Sequence, residues 1–182
     1  MADRRMQGFV LNNLGEAMFA SGKPAEARAT LLEAQGVARE LADKRVLAEV
    51  ERNLGLVALQ LDDDKASEIL DRSLELAQDY GGKEAIARAH HAVARGRART
   101  LFDATGSADR RAEESFLLAV DLYRDLGNEP EAARVMAELG RHLVERGDVE
   151  GAKERLREAR AIMRRLNVPD VEKVEQTLLD LG

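Results

Sequence analysis

Four stretches of this chain carry the same helical stripe, and that repetition restricts it to a stack of helical hairpins. From each of Ala27, Ala66, Ala112 and Ala152, packing residues recur four, seven, eleven and fourteen positions later. The stripes read Leu31, Ala34, Ala38, Leu41; then Leu70, Ser73, Ala77, Tyr80; then Phe116, Ala119, Tyr123, Leu126; then Leu156, Ala159, Met163, Leu166. Residues spaced in this way fall on one face of a helix. Ahead of each stripe lies a second periodic segment, marked by Leu14-Gly15, Leu54-Gly55, Val93-Ala94 and Leu139-Gly140. A mid-helix glycine costs about 1 kcal/mol relative to alanine. Its return at one phase in three of four segments therefore marks a helix–helix approach too close for a Cβ.

The stretch 131–166 is the clearest copy and serves to align the others. It predicts helices at 3–21, 24–41, 44–61, 64–80, 83–102, 108–126, 129–146, 149–166 and 169–181. Pro24, Pro130 and Pro169 stand where helices begin, a position at which the missing N–H removes no intrahelical bond. Turns at Ser21-Gly22, Asp62-Asp63-Asp64, Gly81-Gly82, Gly127-Asn128 and Gly147-Asp148 are short, which makes neighbouring helices antiparallel. Aromatic residues are only 3% of the chain and tryptophan is absent, so the core is built from Ala, Leu, Val and Met. No segment alternates apolar and polar residues as a strand would.

The combination of Leu139-Gly140, Gly147-Asp148, Ala152 and Leu156 resembles the tetratricopeptide repeat. Successive alanines are 39, 46 and 40 residues apart, longer than the usual unit, and the pattern is similar to the long-helix repeats of kinesin light chains and bacterial multidomain regulators. The resemblance implies an all-α, right-handed α–α superhelix forming a single domain over 1–182. Its four hairpins are expected at 3–41, 44–80, 83–126 and 129–166. Val171, Val174, Leu178 and Leu181 mark 169–181 as a capping helix. It also implies a non-enzymatic scaffold that binds a partner peptide or helix in a concave groove lined by the first helix of each hairpin.

Carried over by position, the groove would present Phe9, Asn12, Glu16 and Ala20 from the first hairpin, and Glu49, Arg52, Leu56 and Gln60 from the second. The third would contribute Arg88, His91, Arg95 and Arg99, and the fourth Arg134, Ala137, Arg141 and Glu145. Arg88, His91, Arg95 and Arg99 share a helical face by spacing alone. Guanidinium groups gathered on a concave wall suit carboxylate pairing, so an acidic peptide or acidic helix is the expected partner. The opposing reading is that Glu84, Glu138 and Glu145 neutralise the stripe. Asn13 and Asn53 precede Leu-Gly, where asparagine in the long-helix relatives reaches the backbone of an extended peptide. Ala92 and Glu138 interrupt that series, and the amides alternatively bond neighbouring helices.

No metal, cofactor or catalytic residue is expected. The chain has no cysteine, and its three histidines are His90, His91 and His142, of which the adjacent pair points about 100° apart. His90 falls at a core position. Asp62-Asp63-Asp64 lacks the spacing of a calcium loop, and Gly81-Gly82-Lys83 lacks that of a phosphate loop. A formal net charge of −6 argues against nucleic acid as the partner. No apolar run approaches membrane-spanning length and the first residues lack a signal-peptide core, so a cytoplasmic location is expected. The first hairpin begins near Met6 with no helix to cover it. An alternative expectation is accordingly a self-associating or intramolecular regulatory module of a larger signalling protein. The third hairpin carries an insertion at 103–110, read as a tolerated loop or extra turn.

Overall fold

The computed structural model describes residues 2–99 and 107–182. They form α1 (Ala2–Ala20), α2 (Pro24–Glu40), α3 (Lys44–Gln60), α4 (Ala66–Tyr80), α5 (Lys83–Arg99), α6 (Ser107–Asp125), α7 (Glu129–Glu145), α8 (Val149–Arg165) and α9 (Val171–Asp180), with no strand among the described residues. Consecutive helices pack as antiparallel hairpins, and the hairpins stack into a right-handed superhelix. α4 begins two residues later than its periodicity predicts, because Asp63 accepts a bond from the Lys65 N–H and holds 63–65 in a turn. α9 also begins later, since Pro169 and Asp170 belong to the preceding turn. Residues 107–110 of the insertion are helical and lengthen α6, while 100–106 lie outside the described residues.

The glycine phase has the predicted cause. A Cβ on Gly140 would stand 2.6 Å from Leu156 Cγ, and one on Gly15 would stand 2.5 Å from Leu31 Cγ. Leu31, Leu70 and Leu156 are buried, each four residues beyond its alanine, so the first, second and fourth hairpins are closed by a leucine seated on a bare glycine backbone. The third hairpin departs from this rule with Ala94 against Phe116, both buried.

Between hairpins, the first helix of one packs on the hairpin before it. Val50, Leu54 and Val57 of α3 are sealed against Ala27, Leu31 and Ala34 of α2. Asp43, Asn128 and Asp148 cap α3, α7 and α8 by accepting from the N–H of Val46, Glu131 and Gly151. The turn 146–148 passes through Gly147 at φ 80°, a region that glycine enters without steric cost. One buried carboxylate, Glu51, pins three helices: it accepts from Gln35 and Arg39 of α2 and from Arg72 of α4.

Candidate partner-binding groove

Two neighbouring hollows of about 630 and 560 Å³ open among α1, α3, α5 and α7 and share Phe19, Leu56 and Arg95 in their lining. The first is lined by apolar Phe19, Leu56, Leu59 and Phe116, with Arg95, Arg99 and Arg141 and the carboxylates of Glu138 and Glu145 around them. Phe116 reaches this lining from α6 and lies between two histidine rings, 6.3 Å from that of His91 and 6.1 Å from that of His142. The second hollow is bordered by Glu16, Arg52, Glu84, Arg88 and Tyr123.

The six groove arginines fall into different electrostatic situations. Arg52 is buried, with Nη2 3.3 Å from Glu49 and 3.5 Å from Glu16. Burial and then repulsion from Arg88 lower its pKa, while Glu49 and Glu16 oppose that shift. Arg88 meets Glu16 at 3.4 Å and Glu49 at 3.3 Å. These four residues form a compact square of two positive and two negative charges, so this end of the groove is close to neutral. Arg99 pairs with Asp62 in the α3–α4 turn. Arg134 pairs with Glu131 and approaches Asp170 at 3.7 Å, which places it toward α9 rather than beside Arg88.

Around Glu138 the balance is different. His91 Nε2 donates to its carboxylate at 3.0 Å, and Arg95 Nε stands 3.7 Å away. Burial pushes the Glu138 carboxyl up, but the His91 hydrogen bond and the charges of His91, Arg95 and Arg141 outweigh it and hold the group below its usual value. Glu138 is therefore ionised near neutrality and already engaged by two partners. Arg141 forms no ion pair among the described residues, although its charge is felt at both Glu138 and Asp170. The hollow with the apolar floor thus carries at its edge one arginine, Arg141, that is in no ion pair among the described residues, beside the carboxylates of Glu138 and Glu145.

The two asparagines occupy unlike surroundings. Asn53 is buried and donates its amide to Asn12 of α1 at 2.9 Å, whereas Asn13 is exposed on the outer side of α1. A positional rule explains the contrast. The residue two before the small position of one first helix meets the residue three before it on the preceding first helix. Asn53 meets Asn12 in this way, and Glu138 meets His91. Asn13 is the same position on α1, where no described helix precedes it. Sequence reasoning missed Phe19, Leu59 and Phe116 as groove residues. Their signal was large apolar character close to the small position, and for Phe116 the place of a closing leucine.

A tetratricopeptide repeat family model matches residues 6–79. The chain folds as a tetratricopeptide-type solenoid. It is similar along 99% of its length to the crystal structure of BtubC (BKLC) from P. vanneervenii, covering 84% of that chain at 18% identity with a TM-score of 0.70. Two crystal structures of nearly identical tetratricopeptide-like repeats from Podosopora anserina, assigned to a kinesin light chain, also superpose on it. One of them, a single-substitution variant, gives a TM-score of 0.69 at 14% identity over 100% of this chain and 96% of that one. The other gives 0.68 at 14% identity over 98% and 95%. No curated protein sequence matches the chain. Solenoids of this kind are in general protein–protein interaction scaffolds. No helix of the described residues is long and apolar enough to cross a membrane.

Proposed function

We propose that the chain is a binding scaffold that seats a partner peptide or helix in the concave groove, at the hollow between α3, α5 and α7. The observation that carries this reading is the pairing of an apolar floor with an arginine, Arg141, that has no ion-pair partner among the described residues. The ligand of this hollow places an apolar side chain over Leu56 and Phe116 and a carboxylate between Arg141 and Arg95. Arg52 and Arg88 contribute shape and rigidity, because Glu16 and Glu49 already consume their charge. Asn53 contributes through its hydrogen bond to Asn12, which fixes α1 against α3 beneath the groove.

Selection from a random peptide display library tests this. Enriched sequences are expected to place Asp or Glu beside a large apolar residue. Arg141→Glu combined with Arg95→Glu is expected to weaken an enriched peptide by roughly tenfold or more, about 1.4 kcal/mol. Affinity should also fall as salt rises. Enrichment without acidic residues, or indifference to both charge reversals, would contradict the proposal.

A second reading is favoured by α1 itself. Its Val10 and Leu14 stand at the positions of Val50 and Leu54 in α3 and of Val135 and Leu139 in α7. The latter four are 0–5% exposed, whereas Val10 is 53% and Leu14 is 45% exposed. Met6, one turn before Val10, is 61% exposed. In this reading a second copy covers α1 with its own. Sedimentation is expected to show a concentration-dependent dimer that Val10→Lys with Leu14→Lys abolishes; a monomer at all concentrations removes the reading.

A further inference from the structure

A second charged surface lies on the outside of the array, between α8 and α9. Lys153, Arg157, Arg160 and Arg164 are spaced four, three and four residues apart and line one wall of a furrow of about 290 Å³. Leu178 and Leu179 of α9 form the other wall. The four cations follow one side of α8 over about 16 Å, three helical turns.

Equivalent positions elsewhere in the molecule show what such cations meet. Arg28 stands one residue after Ala27 and pairs at 3.0 Å with Asp63, at the start of the next second helix. Arg124 stands twelve residues after Ala112 and pairs with Glu158 of the next second helix, α8. Arg39, twelve after Ala27, pairs with Glu51, four residues before Gly55. In the same register Arg164, twelve after Ala152, pairs with Glu175, four residues before Leu179. α9 therefore sits on α8 as a first helix, and Leu179 occupies the glycine place. Leu179 is 74% exposed.

Lys153 bonds the Gly182 carbonyl oxygen, while Arg157 and Arg160 have neither an ion pair nor a hydrogen bond among the described residues. Glu175 answers Arg164 and lines the furrow, but the pairs that Arg28 and Arg124 make toward a next second helix have no counterpart here among the described residues.

We infer that the α8–α9 furrow is a docking site for an acidic helix of a partner protein. The occupant presents carboxylates at helical spacing toward Arg157 and Arg160. It places a small residue, Gly or Ala, opposite Leu179, which inverts the glycine-under-leucine contact that closes the first, second and fourth hairpins. A straight row of cations at one helical repeat matches a second helix in spacing. The exposed leucine gives that helix an apolar contact that a phosphate backbone would not use. The surface is separate from the concave groove, so it stands or falls independently of the function proposed above.

Fluorescence anisotropy on the full chain tests the inference. The probe is an alanine-rich helical peptide of about 18 residues, with glutamates four, three and four positions apart. It is run beside the same peptide carrying lysines, a single-stranded and a duplex DNA, and phosphatidylserine-containing vesicles. The glutamate peptide is expected to bind at low salt and the lysine peptide is not. Arg157→Glu with Arg160→Glu is expected to weaken binding at least tenfold, while Arg45→Glu with Lys65→Glu, exposed cations at the starts of α3 and α4, leaves it unchanged. If the double reversal disturbs folding, as thermal melting would show, Arg157→Gln with Arg160→Gln replaces it, with an expected loss of several-fold. Absence of binding, equal binding by the reversed chain, or tighter binding of DNA or vesicles than of the peptide would overturn the proposal.

Discussion

Replacing Gly140 with alanine is expected to destabilise the fourth hairpin by about 1 kcal/mol, although alanine is the better helix former by a similar amount. The added Cβ would lie 2.6 Å from Leu156 Cγ and 2.8 Å from its Cδ2, with the Ala152 carbonyl oxygen 3.4 Å away. Leu156 is fully buried, so it cannot swing into solvent to make room. Overpacking of this kind costs roughly 1–3 kcal/mol, which exceeds the gain in helix propensity. Leu156→Ala alone is expected to cost more, about 3 kcal/mol, by removing buried apolar surface and leaving a cavity. The double substitution should cost less than the sum, because the new Cβ enters the space that the leucine vacated. Urea unfolding of the four proteins gives the coupling, expected at roughly 1 kcal/mol in the compensating direction. Simple additivity would show that glycine is not kept bare for leucine.

The next largest effect is expected at Glu51. Its side chain is 1% exposed, and its two oxygens accept from Gln35 at 3.0 Å, Arg39 at 3.2 Å and Arg72 at 2.9 Å. Removing one partner of a fully buried ion pair costs roughly 3–5 kcal/mol. Arg39 and Arg72 are 54% and 41% exposed, so both rehydrate when the carboxylate leaves, and the loss is correspondingly smaller. Glu51→Ala is expected to lower stability by about 2 kcal/mol, part of it from the cavity. Arg39→Ala and Arg72→Ala should each cost under about 1 kcal/mol, because the carboxylate keeps its other donors. Denaturant unfolding measures all three. A cost below about 0.5 kcal/mol for Glu51→Ala would mean that the contact does not tie α2, α3 and α4 together.

How much of this was legible depends on whether the physical cause is local. The glycine and alanine phase is a local statement about backbone approach, and Gly15, Gly55 and Gly140 each meet the leucine that it implies. The helix starts at Ala66 and Val171 escaped periodicity because side-chain and backbone bonds in the preceding turns decide them. The charge of the groove was less legible. Reading Arg88, His91, Arg95 and Arg99 along α5 shows one positive face, yet the carboxylates that answer them arrive from other helices. Glu16 of α1 is 72 residues from Arg88, and Glu138 of α7 is 47 from His91. Of the candidate neutralisers named from sequence, Glu138 meets this stripe directly, whereas Glu16 and Glu49 enter the sequence reading only as groove positions. Asn13 and Asn53 share a sequence position but not an environment, since α1 has no described helix before it to bond. Phe116 reads in the sequence as one more core residue, and only the stacking of α5 and α7 around it makes it part of the hollow's floor.

These contrasts separate two kinds of charge on the same scaffold. Arg52 and Arg88 hold the superhelix together through carboxylates of neighbouring helices. Arg141, Arg157 and Arg160 are in no ion pair among the described residues, and the two proposals above assign them to partners.

Amide chemical shifts of the isotopically labelled chain, followed as a library-selected peptide is added, test the groove most directly. The account predicts that the largest changes cluster at Leu56 of α3, Arg95 of α5 and Arg141 of α7, and that they vanish in the Arg95→Glu, Arg141→Glu chain. Changes confined to α8 and α9 or to the outer face of α1, or changes that persist undiminished in the reversed chain, would contradict it.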